Sequence, residues 1–151
     1  MMKIAEEIKI LSVNISEKKG TVKKVVDTIE LNEKGVVNDA HSGDWHRQVS
    51  LLGKESFEKF QNSSGREVVF GEFAENITTE GIELYKTIPG DKFVIGNVVL
   101  EVTQIGKKCH GKGCAIYTEV GDCVMPKEGI FCKVITSGNI SAGDTMQYLP
   151  Q

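Results

Sequence analysis

Arginine is nearly missing from this chain: Arg47 and Arg66 are the only two among 151 residues, and the formal net charge is -3 with a pI near 5.7. A domain that works on nucleic acid or on an anionic membrane carries a basic face, so neither is expected as a partner. No run of eighteen apolar residues occurs, and Met1 to Ile15 does not read as a basic stretch followed by an apolar one. A membrane-spanning helix and a signal peptide are therefore not expected, and the protein reads as soluble and cytoplasmic. Proline is scarce too, and Pro89, Pro126 and Pro150 all fall where turns are expected. With no internal repeat, low-complexity tract or long linker, residues 1–151 read as one domain, long enough to bury roughly two thirds of the unfolded surface.

Cysteine is absent from the first 108 residues, and all four, Cys109, Cys114, Cys123 and Cys132, lie in the last third. In a chain with no export signal, such a cluster points to reduced thiols, metal ligands or chemical groups rather than a disulfide framework.

What the chain has in quantity is glycine, 16 residues that punctuate short β-branched and aromatic stretches. That pattern predicts many short strands joined by turns, as in a barrel or sandwich. Lys9 to Ile15 and Thr21 to Leu31 read as strands flanking a Ser16 to Gly20 turn, together an opening hairpin. Phe93 to Ile105 breaks at Gly96-Asn97, a dipeptide suited to a tight hairpin loop, and Gly129 to Thr136 and Asp144 to Leu149 supply closing strands. A helix is predicted over Ser50 to Phe60 with Ser50 as N-cap, and a weaker helical turn over Phe73 to Asn76.

Three stretches concentrate chemistry. Gly43 to Leu51 gathers the only tryptophan, Trp45, with His46 and Arg47 just before the predicted helix. A planar guanidinium near backbone donors suits two-point capture of a phosphate or carboxylate; the alternative is a solvated loop with Trp45 plugging the core. Phe70 to Gly81 brings Asn76 and Thr78 between glycines, where a turn-forming role competes with a ligand-facing one. The strongest signal is Lys107-Lys108-Cys109-His110-Gly111-Lys112-Gly113-Cys114, a glycine-rich, cationic segment with two thiols. Ammonium groups and backbone amides favour thiolate, the form that attacks a persulfide or ligates a soft metal. A sulfur carrier, a thiolate ligand to a cofactor metal, and a structural zinc site with Cys123 and Cys132 compete. The eight residues between the last two fit zinc least and suit buried small hydrophobes better.

These segments in this order, with Gly71-Glu72, Glu75-Asn76-Ile77-Thr78, Gly81-Ile82, Gly90-Asp91 to Gly96 and Val120 to Phe131, resemble a MOSC domain, the molybdenum cofactor sulfurase C-terminal type. The resemblance covers nearly the whole chain and is closest to the small stand-alone bacterial members. It implies a mainly β fold, a mixed β-barrel with a few short helices. It also implies molybdenum cofactor (molybdopterin) binding or sulfur carriage in molybdoenzyme maturation, with a loop cysteine as persulfide carrier or metal ligand. In relatives the Cys-x2-Cys-Ile pattern marks that cysteine; here it falls on Cys109 and Cys114-Ala115-Ile116 with two extra residues, which favours Cys114 for the metal or persulfide role and keeps Cys109 second. On this resemblance His46, Arg47, Lys107 and Lys108 meet the cofactor's phosphate or pterin, and Asn76 and Thr78 shape its pocket. The implied partners are a cysteine desulfurase or other sulfur donor, itself pyridoxal-phosphate dependent, and molybdoenzymes or cofactor biosynthesis proteins; no pyridoxal phosphate is expected on this chain. Enzymatic roles open to it are sulfur transferase or component of a molybdenum-dependent reductase of N-hydroxylated compounds, and a non-catalytic cofactor-sensing module is the remaining alternative.

Overall fold

The computed structural model describes residues 4–18, 22–65, 67, 69–106 and 128–151. Among these residues, short apolar and β-branched runs form eleven strands: β1 (Ile4–Ile15), β2 (Lys24–Val26), β3 (Thr28–Asn32), β4 (Gly35–Val36), β5 (Val49–Gly53), β6 (Ile77–Ile82), β7 (Lys92–Ile95), β8 (Val98–Ile105), β9 (Ile130–Thr136), β10 (Gly138–Ser141) and β11 (Thr145–Leu149). The helical elements whose bounds lie among the described residues are α1 (Lys54–Ser64) and a short 3-10 turn at Leu84–Lys86. None is long and apolar enough to cross a membrane.

Seven strands close on themselves in the order β1, β11, β7, β8, β9, β5, β6 and back to β1. Closure rests on β1, which meets β6 along one edge, with Val13 opposite Ile77, and β11 along the other, with Ile8 opposite Met146. Only β5 and β6 run parallel, so the barrel is mixed. Strands β10, β3 and β4 form a second, three-stranded sheet. Alternation along each strand fills the barrel with Leu51, Ile77, Phe93, Leu100, Val102, Ile130 and Cys132, all buried. Leu52 and Phe131, their immediate neighbours, belong instead to a second cluster with Phe57 and Phe60 of α1 and Phe73. There the Phe73 ring lies 5.1 Å from Phe60 and 5.3 Å from Phe57, and these contacts seat the helix on the barrel wall.

The hairpin of β7 and β8 turns at Gly96-Asn97 as its sequence implies, with Gly96 at φ +59°. Three expectations are corrected. Residues 49–53 form a strand, not the first turn of the helix, because β5 lies between β6 and β9 and all five residues are buried. Ser50 is therefore no cap, and Gly53 stands at the helix start with no side-chain cap. The helical turn over Phe73 to Asn76 does not form, since Ala74 adopts φ +65° and breaks any right-handed continuation. The single strand expected over 21–31 is interrupted at Asp27; β2 pairs with β1, and β3 leaves for the second sheet to pair with β10.

Cys132 points into the barrel with its thiol pushed up by burial and by the charge of Glu101, so it behaves as a small core residue.

Gly71 lies against the backbone of Lys23, just ahead of β2. It sits at φ +89°, its carbonyl accepts the Lys23 N–H at 2.8 Å, and a Cβ there would collide with the Lys23 carbonyl oxygen. Gly71→Ala is expected to cost about 2 kcal/mol or more through both strain and collision, read as a lowered urea midpoint with unchanged slope. A midpoint equal to wild type would mean that the two backbones separate freely.

Candidate functional site

On the outer wall of the barrel, side chains from β1, β5 and β6 that alternate with the core form a polar layer. Ser12, Asn14, Ser50, Asn76 and Thr78 are all buried. The Asn76 carboxamide oxygen accepts from the Ser50 N–H (3.0 Å) and hydroxyl (3.2 Å), and its amide donates to the Asn14 carbonyl (3.2 Å). Thr78 accepts from the Ser12 hydroxyl (3.0 Å) and donates to Glu75 Oε2 (2.7 Å). Asn76 thus ties three strands together at the start of β6, where strand pairing begins. Glu75 is fully buried; its Oε2 also accepts the Gly71 N–H at 2.9 Å, while Oε1 has no partner among the described residues. Burial raises its carboxyl to about 7 against the lowering effect of the Gly71 and Thr78 hydrogen bonds.

Arg47 occupies the stretch of chain entering β5. Its guanidinium carbon lies 4.6 Å from the centre of the Trp45 ring and 5.7 Å from that of Phe131. Its Nε is buried and has no hydrogen-bond partner among the described residues. The aromatic rings hold the cation in place, and Nε, with no partner among the described residues, is left as a preoriented donor. Trp45 is half-buried outside both apolar clusters, with Nε1 donating to the His41 carbonyl at 2.8 Å; it supports Arg47 rather than plugging the core.

His46 is exposed, with Nε2 2.7 Å from Gln104 Oε1, and its carbonyl accepts the Thr103 hydroxyl. Gln104 in turn donates to the Gly106 carbonyl at 2.7 Å, and Gly106 donates to the Gly129 carbonyl at 2.6 Å. Glu128 accepts from Ser56 (2.5 Å) and Lys59 (3.2 Å) of α1. The two ends of the cysteine-bearing segment are therefore joined next to the His46–Gln104 pair. Lys107, Lys108, Cys109 and Cys114 themselves, with Cys123, lie outside the described residues.

A third group was not singled out from the sequence. Lys23 and Asp39 have fully buried side chains and pair at 2.8 Å. The Lys23 ammonium also reaches the Ser16 hydroxyl (3.0 Å) and His41 Nδ1 (3.1 Å), and Asp39 accepts the Ser16 (2.9 Å) and His41 (3.0 Å) backbone N–H groups. Burial alone would raise the Asp39 carboxyl; the hydrogen bonds and the Lys23 charge outweigh it and hold the group well below the usual carboxylate range.

Of the residues named from sequence, His46 and Arg47 stand side by side in the chain entering β5, the first exposed and the second half-buried, whereas Asn76 and Thr78 are buried with their polar atoms used inside the fold. The Asp39-x-His41 pair four residues before Trp45 was the available signal for the missed group. Lys23, sixteen residues from Asp39, had none.

A small mixed β-barrel with a buried polar wall and an aromatic-held arginine defines the class. A family model described as the MOSC domain matches residues 38–147, and the chain belongs to the MOSC domain family, which is associated with the molybdenum cofactor. Among solved structures, the YuaD protein from Bacillus subtilis is similar at 18% identity, with 100% of both chains covered and a TM-score of 0.82. YiiM from Geobacillus stearothermophilus is similar at 21% identity, covering 94% of this chain and 75% of its own, with a TM-score of 0.73. YiiM from Escherichia coli is similar at 19% identity, covering 100% of this chain and 71% of its own, with a TM-score of 0.67. At these identities the likeness shows the fold. No curated protein matches the sequence.

Proposed function

We propose that this domain handles the molybdenum cofactor during molybdoenzyme maturation and carries sulfur on a loop cysteine, Cys114 first and Cys109 second. The observation that carries the cofactor-handling part is Arg47, stacked on Trp45 with its buried Nε lacking a partner among the described residues, which fits the anionic phosphate of a phosphorylated pterin. His46, next to Arg47 in the chain, adds a second contact, and Lys107 and Lys108, which follow Gly106 in the sequence, add cationic charge. When bound, the cofactor supplies a sulfur-accepting metal centre; the chain's own task is to hold its anion and to bring a thiolate near it. In the loading step the Cys114 thiolate attacks the outer sulfur of a desulfurase persulfide. An S–S bond forms on Cys114 as the donor's S–S bond breaks, and the donor cysteine leaves as a thiolate, with no net oxidation.

Protein purified under reducing, anaerobic conditions is to be incubated with a cysteine desulfurase and cysteine, then weighed by mass spectrometry beside the Cys109→Ala/Cys114→Ala variant. The expected result is one added sulfur on wild type, lost by at least tenfold in the variant. Equal sulfur on both proteins, or none on wild type, would overturn the carrier reading. Near-stoichiometric molybdenum retained by wild type and lost in the variant would replace it with a cofactor-bound oxidoreductase.

A further inference from the structure

We infer that the seam between β1 and β11 is a docking groove for an extended, lysine- or arginine-bearing segment of another protein, which adds a strand where the barrel is left open. Closure at this seam is short. The two strands pair only at Ile8–Met146 and Lys9–Thr145, although β1 begins at Ile4 and β11 runs on to Leu149. Beyond Ile8 no further pair joins them, and residues 4–8 and 145–149 line a groove of about 560 Å3.

The cause lies on the other edge of β1. Its register against β6 slips between Ile4–Ile82 and Lys9–Glu80, so that the four residues Ala5 to Ile8 stand opposite the single residue Gly81. Such a bulge bends its strand, and here it carries the first part of β1 out of line with β11. Gly81 seats it, at φ +112°, where a Cβ would lie 2.7 Å from the Glu7 carbonyl oxygen. Backbone direction follows by alternation. The Ile10 N–H donates to the Asp144 carbonyl at 2.8 Å, so Ile10 and Asp144 face each other across the seam, and so do Ile8 and Met146. The Glu7 carbonyl points the other way, against Gly81, which turns the Glu6 backbone toward the groove. Glu6 and Tyr148 would be the next pair of the ladder, and that pair is not formed. An unpaired strand edge is a template for a further strand.

The lining says what chemistry fits. Glu6 and Glu7, both exposed, are the only charged groups among the described residues that line the groove. An adjoining groove of about 460 Å3 shares Ile4 and Ala5 and adds Glu55 and Glu83, with no lysine or arginine among its described lining residues. Ile4 and Leu149 expose apolar side chains on the two strands. A strand that alternates basic and apolar residues complements both features. A second copy of this chain fits poorly, because pairing β1 edge to edge would set Glu6 and Glu7 against like charges.

The probe is the hexapeptide Lys-Val-Lys-Val-Lys-Val, titrated at low salt into the full chain by fluorescence anisotropy and followed by amide NMR. Expected is saturable binding that shifts the amides of residues 4–8 and 145–149 and slows hydrogen exchange at Glu6 and Tyr148. Glu6→Gln/Glu7→Gln is expected to weaken binding about fivefold or more, the scale of two exposed charge pairs, whereas Glu33→Gln/Glu58→Gln, the same charge change on the β3–β4 turn and on α1, keeps it within about twofold. A peptide with proline in place of each valine cannot add a strand and is expected to bind about tenfold more weakly or worse. Glu6→Lys/Glu7→Lys is expected to reverse the preference, toward Glu-Val-Glu-Val-Glu-Val. Absence of saturation, shifts confined to other residues, equal loss in the two Glu→Gln pairs, or undiminished binding of the proline peptide overturns the inference. Self-association of the free chain in sedimentation velocity, with the same amides shifted, would place a second copy in the groove and overturns it as well.

Discussion

Lys23→Met is expected to lower the stability of the fold by about 3–5 kcal/mol, the usual cost of removing one partner of a buried ion pair. The Lys23 and Asp39 side chains are both fully buried, and the substitution leaves the Asp39 carboxylate without its cation while taking one donor each from Ser16 and His41. The loss should be largest near neutral pH. The folded carboxyl of Asp39 is depressed, so its contribution is present above the unfolded value near 3.8 and is lost as pH falls through the folded one. Adding Asp39→Asn to Lys23→Met removes the uncompensated charge and is expected to make the double variant more stable than Lys23→Met alone. Urea unfolding of the wild type, both single variants and the double variant measures this; a double variant below both singles would show that the pair does not act as an ion pair.

Glu75 predicts a pH dependence of opposite sign. Burial raises its folded carboxyl from the ordinary value of 4.5 to about 7, so between those values the folded chain binds a proton that the unfolded chain has released. The stabilisation is complete below pH 4.5 and is lost as pH rises through 7, a total of roughly 3 kcal/mol at 1.36 kcal/mol per unit. Glu75→Gln preserves an acceptor for Gly71 and Thr78 without the ionisation. Its unfolding free energy should stay flat over that window and exceed that of wild type above pH 7. A wild-type slope persisting in Glu75→Gln would assign the dependence to another group.

The two residues differ in what the sequence around them signals. Glu75 lies in a stretch whose chemistry the sequence had marked through Asn76 and Thr78, but nothing local distinguishes a buried glutamate from a solvated one. Lys23 reads as one more lysine in a β-rich run beside Lys24; the loop after β4 returns Asp39 beneath it, while Lys24 is exposed. The helix boundary shows the same limit. Leu51, Leu52 and Phe57 fit an apolar helical face as well as they fit a strand followed by a helix, and the decision fell to β6 and β9, which cover both edges of β5.

Local chemistry by itself determined the strand-rich character, the Gly96-Asn97 hairpin, the helical segment after Gly53 and the crowding of His46 and Arg47 ahead of β5. These depend on glycine dihedrals, side-chain alternation and residues close in sequence. Only the tertiary structure decided which polar groups are used inside the fold and which face outward. It sealed Asn76 and Thr78 into contacts with Ser50, Asn14 and Ser12 and left Arg47 Nε buried without a partner among the described residues. The reason is that burying a polar group requires a partner at hydrogen-bond distance, and these partners come from strands up to 66 residues away, brought together by closure of the barrel.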